Sequence, residues 1–273
     1  AVAALYAFRA VKELGIPLSK NARLILGTDE ECGSSDIRHY YSIEKEAPMT
    51  FSPDAEYPLV NTEKGRFPGH FTAGFEASDA LPRLVSIKAG TKVNVVPGKA
   101  KAAVEGFEMA ALEKAAAETK EETGISFEFA AEGTVTEITA TGIGAHASTP
   151  DVGNNALTGL LVFLGKLDFA SCPQVDMVRK TASLFPHGDV NGKTLGVAME
   201  DELSGNLTLS FNMLSVDAAS MDGEFDGRIP VCGNDENVLE VVRARMAEQG
   251  LTLLNKALIP PHHVSADSYF VKT

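Results

Sequence analysis

The stretch Ala22-Arg23-Leu24-Ile25-Leu26-Gly27-Thr28-Asp29-Glu30-Glu31-Cys32-Gly33-Ser34 joins a short apolar run to three successive acids. Its first part, residues 22–28, predicts a strand buried on both faces, since a brief hydrophobic run bounded by turn formers suits a sheet covered on each side by helices. Just upstream, Ala1, Ala4, Leu5, Phe8, Val11 and Leu14 form one stripe at helical spacing. The stripe is closed by Gly15-Ile16-Pro17, where glycine frees the backbone and proline cannot continue the ladder. Helix followed by buried strand points to an α/β layer. Just downstream, Asp36–Ser42 predicts a helix and Met49-Thr50-Phe51-Ser52 a second strand, ending at Pro53-Asp54. Both acidic segments would then stand at strand carboxyl ends, where the loops of an α/β sheet converge on one crevice.

From about residue 65 the texture changes. Alternating strands are expected at Leu84–Ile87, Lys92–Val96 and Val135–Ala140, mixed with helices over 102–122, 154–168 and 235–249. The first of these helices is rich in Ala, Glu and Lys and ends at Gly124, and Asn154 is expected to cap the second. The domain reading is therefore 1–64, a large inserted α+β domain over 65–259, and a return to the first domain over 260–273. The opening inside an apolar stripe, and a last helix that starts at Ser265 and has barely run through Tyr269, Phe270 and Val271, make truncation at both ends the expectation.

Lys and Arg number 24 against 37 Asp and Glu, a net charge of −13, with no basic cluster to neutralise a run of phosphates; nucleic acid is not an expected partner. No apolar stretch reaches the roughly 20 residues of a membrane span, and the start lacks a signal-peptide pattern, so a cytoplasmic protein is expected. Cys32, Cys172 and Cys232 are odd in number and far apart, which suits free thiols in a reducing compartment.

Three constellations can carry chemistry. Adjacent Glu30 and Glu31 after a buried strand repel one another, and a divalent ion would offset this: one carboxylate binds it while the neighbour takes a proton from metal-bound water. A solvated acidic turn is the plainer alternative. Asp54, in Ser52-Pro53-Asp54-Ala55-Glu56-Tyr57-Pro58, is held between prolines, as a metal ligand or as an ordinary turn residue bonded to nearby amides. His146, in Gly142-Ile143-Gly144-Ala145-His146-Ala147-Ser148-Thr149-Pro150, is flanked by small residues that leave its ring accessible. It suits donation to a developing oxyanion, or is a surface histidine in a loop. Asn94, in Lys92-Val93-Asn94-Val95-Val96-Pro97, and Arg228, in Gly227-Arg228-Ile229-Pro230, could together hold a carboxylate; alternatively Asn94 ends a strand and Arg228 pairs with Asp226 or Glu224. His39 in a helix, His70 in a loop and His187 in a turn read as surface residues, and His262-His263 would point to opposite sides of an extended strand.

Taken in order, Thr28-Asp29-Glu30-Glu31-Cys32-Gly33-Ser34, then Pro53-Asp54-Ala55-Glu56-Tyr57-Pro58, then Gly144-Ala145-His146-Ala147-Ser148 resemble one family. It is the dipeptidase V and Xaa-His dipeptidase branch of the di-zinc aminoacylase and carboxypeptidase superfamily. The likeness spans nearly the whole chain, with Asn94 and Arg228 at the positions of that branch's lid Asn and Arg. It implies part of an α/β catalytic domain that holds two zinc ions, with manganese or cobalt as alternatives, and a large lid that closes over a small peptide.

Residue by residue, the resemblance makes Glu30 the general base on the metal-bridging water, Glu31 and Asp54 zinc ligands, and His146 the oxyanion donor. Asn94 and Arg228 become substrate contacts, Arg228 gripping the C-terminal carboxylate. A monomer is implied, because half of the enlarged lid fills the place of a second subunit. The branch's His-x-Asp segment, bridging Asp and late His are absent, so 1–273 alone is expected to be inactive. A lid of about 195 residues favours dipeptides over N-acyl amino acids as substrates. Outside enzymes, the alternative is a non-catalytic binding or dimerisation module.

Overall fold

The computed structural model describes residues 2–30, 33–54 and 57–272. They divide into two compact units, one comprising the residues through Asn61 together with those from Val264 on, the other Thr62–His263.

In the first unit, α1 (Val2–Glu13) ends where Gly15 takes a left-handed φ of 63° and the Ile16 amide donates back to the Val11 carbonyl. The apolar stripe of α1 is not covered in this unit: Leu5 is 54% and Leu14 74% exposed. Helix α2 (Ser35–Ile43) follows the acidic turn, and Arg23 reaches its end through Tyr40 and Glu44. Neither expected strand of this unit forms. Residues 22–28 and 49–52 carry no ladder among the described residues, and Leu26 and Phe51 are 60% and 72% exposed. A strand exists only through a neighbour that takes its amides and carbonyls, and local apolar content cannot supply one. Asn61 closes the unit onto Val264 by a backbone bond and a side-chain bond, and Phe270, in α7 (Tyr269–Lys272), lies against Phe51 with ring centroids 6.4 Å apart.

The second unit opens and closes on a short ladder, β1 (Thr62–Glu63) against β14 (His262–His263). Its main body is an eight-stranded antiparallel sheet. In spatial order the strands are β13 (Thr252–Leu253), β2 (Gly65–Gly74), β12 (Ser220–Ile229), β11 (Thr208–Val216), β3 (Arg83–Ala89), β5 (Lys99–Glu105), β7 (Val135–Thr141) and β6 (Ser126–Glu132). Helix α4 (Ala156–Gly165), apolar almost all round and buried over most of its length, packs on β5, β7 and β11 and is flanked by α3 (Met109–Thr123) and α5 (Pro173–Leu184). Leu112, Ile125, Ile138, Leu157, Leu160 and Phe163 form the middle of that core.

The helix expected over 102–122 divides in two. Residues 99–105 are β5, with Ala100, Ala102 and Val104 buried in alternation, and α3 begins only at Met109. Alanine's high helix propensity hid a period of two that sheet pairing enforces. The cap of α4 is Asn155, whose side-chain Oδ1 accepts the Leu157 and Thr158 amides, while the Asn154 side-chain amide donates to the Thr123 carbonyl. Of the strand expected over 92–96 only β4 (Val95–Val96) forms. The helix expected over 235–249 begins as a π-turn, Asp235–Leu239, with Asn234 and Asn237 forming a capping box, before α6 (Glu240–Glu248). No helix of the described residues is long and apolar enough to cross a membrane.

The central strands meet through two glycine-for-phenylalanine exchanges. Gly69 lies opposite Phe225 and Gly223 opposite Phe71; a Cβ on Gly69 would stand 2.0 Å from the Phe225 ring, and one on Gly223 2.3 Å from that of Phe71. These rings continue into Phe67, Phe185 and Phe211. Gly69→Ala should therefore lower stability by about 2–3 kcal/mol as the ring is forced aside, read as a shift in urea midpoint with unchanged slope. No shift would show that the cluster yields freely.

Candidate functional site

In the acidic turn the backbone is braced by aspartates. Asp29 accepts the amide and hydroxyl of Ser35, and Asp36 accepts the amides of Thr28 and Ile37; the bond from Thr28 foremost holds the Asp36 carboxyl below the usual range. Ser34 sits at φ 54° with its amide on the Asp29 carbonyl. These bonds leave Glu30 exposed, its carboxylate without a hydrogen bond among the described residues. Asp54 is likewise exposed in a turn. Glu31 lies outside the described residues, as do Cys32, Ala55 and Glu56. No three His, Cys, Asp or Glu side chains among the described residues are grouped as a metal ion requires. Since zinc takes about four ligands, this donor set falls short of a two-ion centre.

The second unit concentrates its polar groups on one face of the sheet. Along β12 the odd residues Phe225 and Ile229 enter the phenylalanine core, and the even residues Glu224, Asp226 and Arg228 take the opposite face. Two residues apart on one strand, Arg228 and Asp226 form a bidentate pair of hydrogen bonds: Nε donates to Oδ1 at 2.7 Å and Nη2 to Oδ2 at 3.2 Å, with side chains only 17% and 1% exposed. Burial pushes the Asp226 carboxyl above the ordinary range, while Arg228, Arg66 and His146 pull it back. Of the two partners weighed for Arg228, the contact is with Asp226.

Register extends this pair into a row. Arg66 on β2 and Thr208 on β11 stand directly opposite Arg228, one strand to either side. One pair along, Ser210 faces Asp226 and takes a bond from the Asn212 amide, which also donates to the Val93 carbonyl. Three buried polar atoms on this part of the sheet have no partner: Arg66 Nε, Thr208 Oγ1 and Asn212 Oδ1.

Asn94 and His146 are brought together by a second small ladder. Strand β4 pairs with β8 (Ala145–His146), so that Val95 lies opposite His146, and the Asn94 carbonyl accepts the Ala147 amide at 3.0 Å. The Ser148 amide donates to His146 Nδ1 at 3.1 Å, and the Ser148 hydroxyl lies 2.6 Å from the same nitrogen. With Nδ1 turned to the Ser148 amide and hydroxyl, Nε2 is the ring nitrogen left to meet a ligand. His146 is exposed and lies within electrostatic reach of Asp226. Thus the Asn94 backbone is joined to the His146 loop, and that loop reaches the Asp226–Arg228 pair through charge alone among the described contacts.

Sequence reasoning missed Arg66 and Thr208. The signal was present in Gly65-Arg66-Phe67-Pro68-Gly69-His70-Phe71, where Phe67 and Phe71 alternate with polar or small residues, but its Gly and Pro content suggested a loop. His70 consequently stands in a strand, bonded to Asp222 at 2.8 Å. His187 is in a turn as expected but half-buried, with Nδ1 2.8 Å from the Thr158 hydroxyl; it lines an apolar cavity of about 360 Å³ between α4 and α5, and burial holds its pKa down.

No family model matches the chain. "Putative dipeptidase YtjP" of Bacillus subtilis is 34% identical over 279 residues, covering 100% of this chain and 58% of its own length. "Beta-Ala-Xaa dipeptidase" of Lactobacillus delbrueckii subsp. lactis is 29% identical over 271 residues, covering 99% of this chain and 57% of its own. A solved aminoacylhistidine dipeptidase from Vibrio alginolyticus aligns with a TM-score of 0.36 at 11% identity, over 84% of this chain and 55% of that one. The chain spans less than three fifths of the length of these curated relatives, and over nearly its whole own length it is similar to proteins named as dipeptidases.

Proposed function

We propose that the whole protein hydrolyses dipeptides with a free C-terminal carboxylate, and that Thr62–His263 is the lid that holds them. The observation that supports this reading is a largely buried guanidinium fixed by Asp226, with the His146 loop within electrostatic reach of the same carboxyl. Arg228 takes the carboxylate through Nη1, the nitrogen Asp226 leaves free, Asn94 lies beside the His146 loop to contact the peptide, and Nε2–H of His146 donates to the oxygen that gains charge as the amide carbon becomes tetrahedral.

Glu30 as general base and Glu31 and Asp54 as ligands of zinc, or of manganese or cobalt, remain proposals resting on the family resemblance. A monomer working on small peptides in the cytoplasm is likewise proposed on that resemblance, and the net charge of −13 argues against a nucleic-acid partner.

The test is hydrolysis by the whole protein of β-alanyl and α-dipeptides against N-acyl amino acids. Dipeptide turnover is expected; cleavage of N-acyl amino acids alone would overturn the assignment. Residues 1–273 by themselves, with zinc or manganese added, should show no turnover above background, because Glu31 and Asp54 are too few ligands for two ions. Turnover by 1–273 would refute that ligand count.

A further inference from the structure

The row Arg66, Arg228 and Thr208 contains more donors than the protein satisfies. Directly opposed like charges in an antiparallel pair repel, and both guanidiniums are charged at any ordinary pH. The carboxylate bonded there is Asp226, and both its oxygens are engaged by Arg228. Glu224, on the same face, stands opposite His70 instead. Arg66 acts on Asp226 through its charge, yet its side chain makes no hydrogen bond among the described residues, and its Nε is buried. On the other flank the Thr208 hydroxyl is buried and unpartnered too. A buried donor left unmade costs about 1–3 kcal/mol, so two of them flanking a fixed arginine mark a place kept for an acceptor that the chain does not supply.

We propose that Arg66 is a second anion-binding residue: Arg66 Nε–H, the free Nη1 of Arg228 and the Thr208 hydroxyl together receive one carboxylate. Two guanidiniums against one carboxylate leave a single positive charge, which matches a monoanion better than a phosphate dianion. Resting on the dipeptide reading above, the ligand is the C-terminal carboxylate of a small peptide. Asp226 is a positioning residue that fixes which edge of Arg228 faces it.

The probe is N-acetylglycine, titrated into chain 1–273 labelled with ¹⁵N-arginine, with N-acetylglycinamide and inorganic phosphate as comparisons. The Nε–H resonances of Arg66 and Arg228 should move saturably with the acid and stay still with the amide. Arg66→Met should weaken binding about tenfold and Thr208→Val about threefold. Arg66→Met should also leave the urea midpoint unchanged or higher, since it removes a repulsion; a merely structural arginine would lower it. An Arg66 signal that stays still while Arg228 responds, that moves equally with the amide, or that binds phosphate more tightly would overturn the proposal. Binding here needs no turnover. If Arg66 responds and the whole protein cleaves no dipeptide, the function fails and the site stands. If dipeptides are cleaved and Arg66 is silent, the site alone fails.

Discussion

Asp226→Ala is expected to lower the unfolding free energy of Thr62–His263 by about 3–5 kcal/mol, because it leaves a buried arginine without its counter-charge. Arg228 is only 17% exposed and spends two of its nitrogens on this carboxylate, so water cannot replace the lost partner cheaply. The double change Asp226→Leu with Arg228→Met should return to within about 1 kcal/mol of the natural chain, since removing both charges also removes their desolvation. Urea unfolding at pH 7 measures both; a loss below about 1 kcal/mol for Asp226→Ala would mean that the pair is wetter than its geometry.

The pair also has a pH signature. Burial holds the Asp226 carboxyl above its unfolded value, so its contribution to stability is fully present below the unfolded pKa near 4 and is lost as pH rises through the raised folded value. Arg228 limits that loss, so Arg228→Met should destabilise more at pH 7 than at pH 4.

Catalysis gives the second large effect. In the whole protein, Arg228→Met should lower kcat/KM for a dipeptide about a hundredfold, equivalent to about 2.7 kcal/mol, the scale on which a desolvated charge-assisted contact is lost. Arg228→Lys should recover little of it. A point charge cannot hold the Asp226 fork and a ligand carboxylate at once. Steady-state kinetics that show equal rates for all three proteins would remove Arg228 from the site.

The parts of this molecule that were legible in sequence are those set by local chemistry. Gly15 and Gly124 stop helices as expected, each at positive φ, and Val135–Thr141 shows its alternation directly. Arg228 was also visible with Asp226, because residues two apart share a strand face. What depended on remote partners was not. Residues 22–28 look like a buried strand but have no neighbour among the described residues, and Lys99–Glu105 looks like the start of a helix until β3 and β7 pair with it. Arg66 lies 162 positions from Arg228, and only the β2–β12 register sets them side by side. The same holds for Asn94 and His146, joined by a two-residue ladder too short to leave a periodic trace. On the acidic side, Asp54 and Glu30 remain assigned by motif, since nothing described around them converges on a common ion.

The most direct test compares kcat/KM of the whole protein for a dipeptide and for the same dipeptide as its C-terminal amide, in the natural protein and in Arg228→Met. If this polar face holds the peptide's carboxylate, the natural protein should prefer the free acid by about a hundredfold and the variant should lose that preference. Equal rates on acid and amide in the natural protein would contradict it.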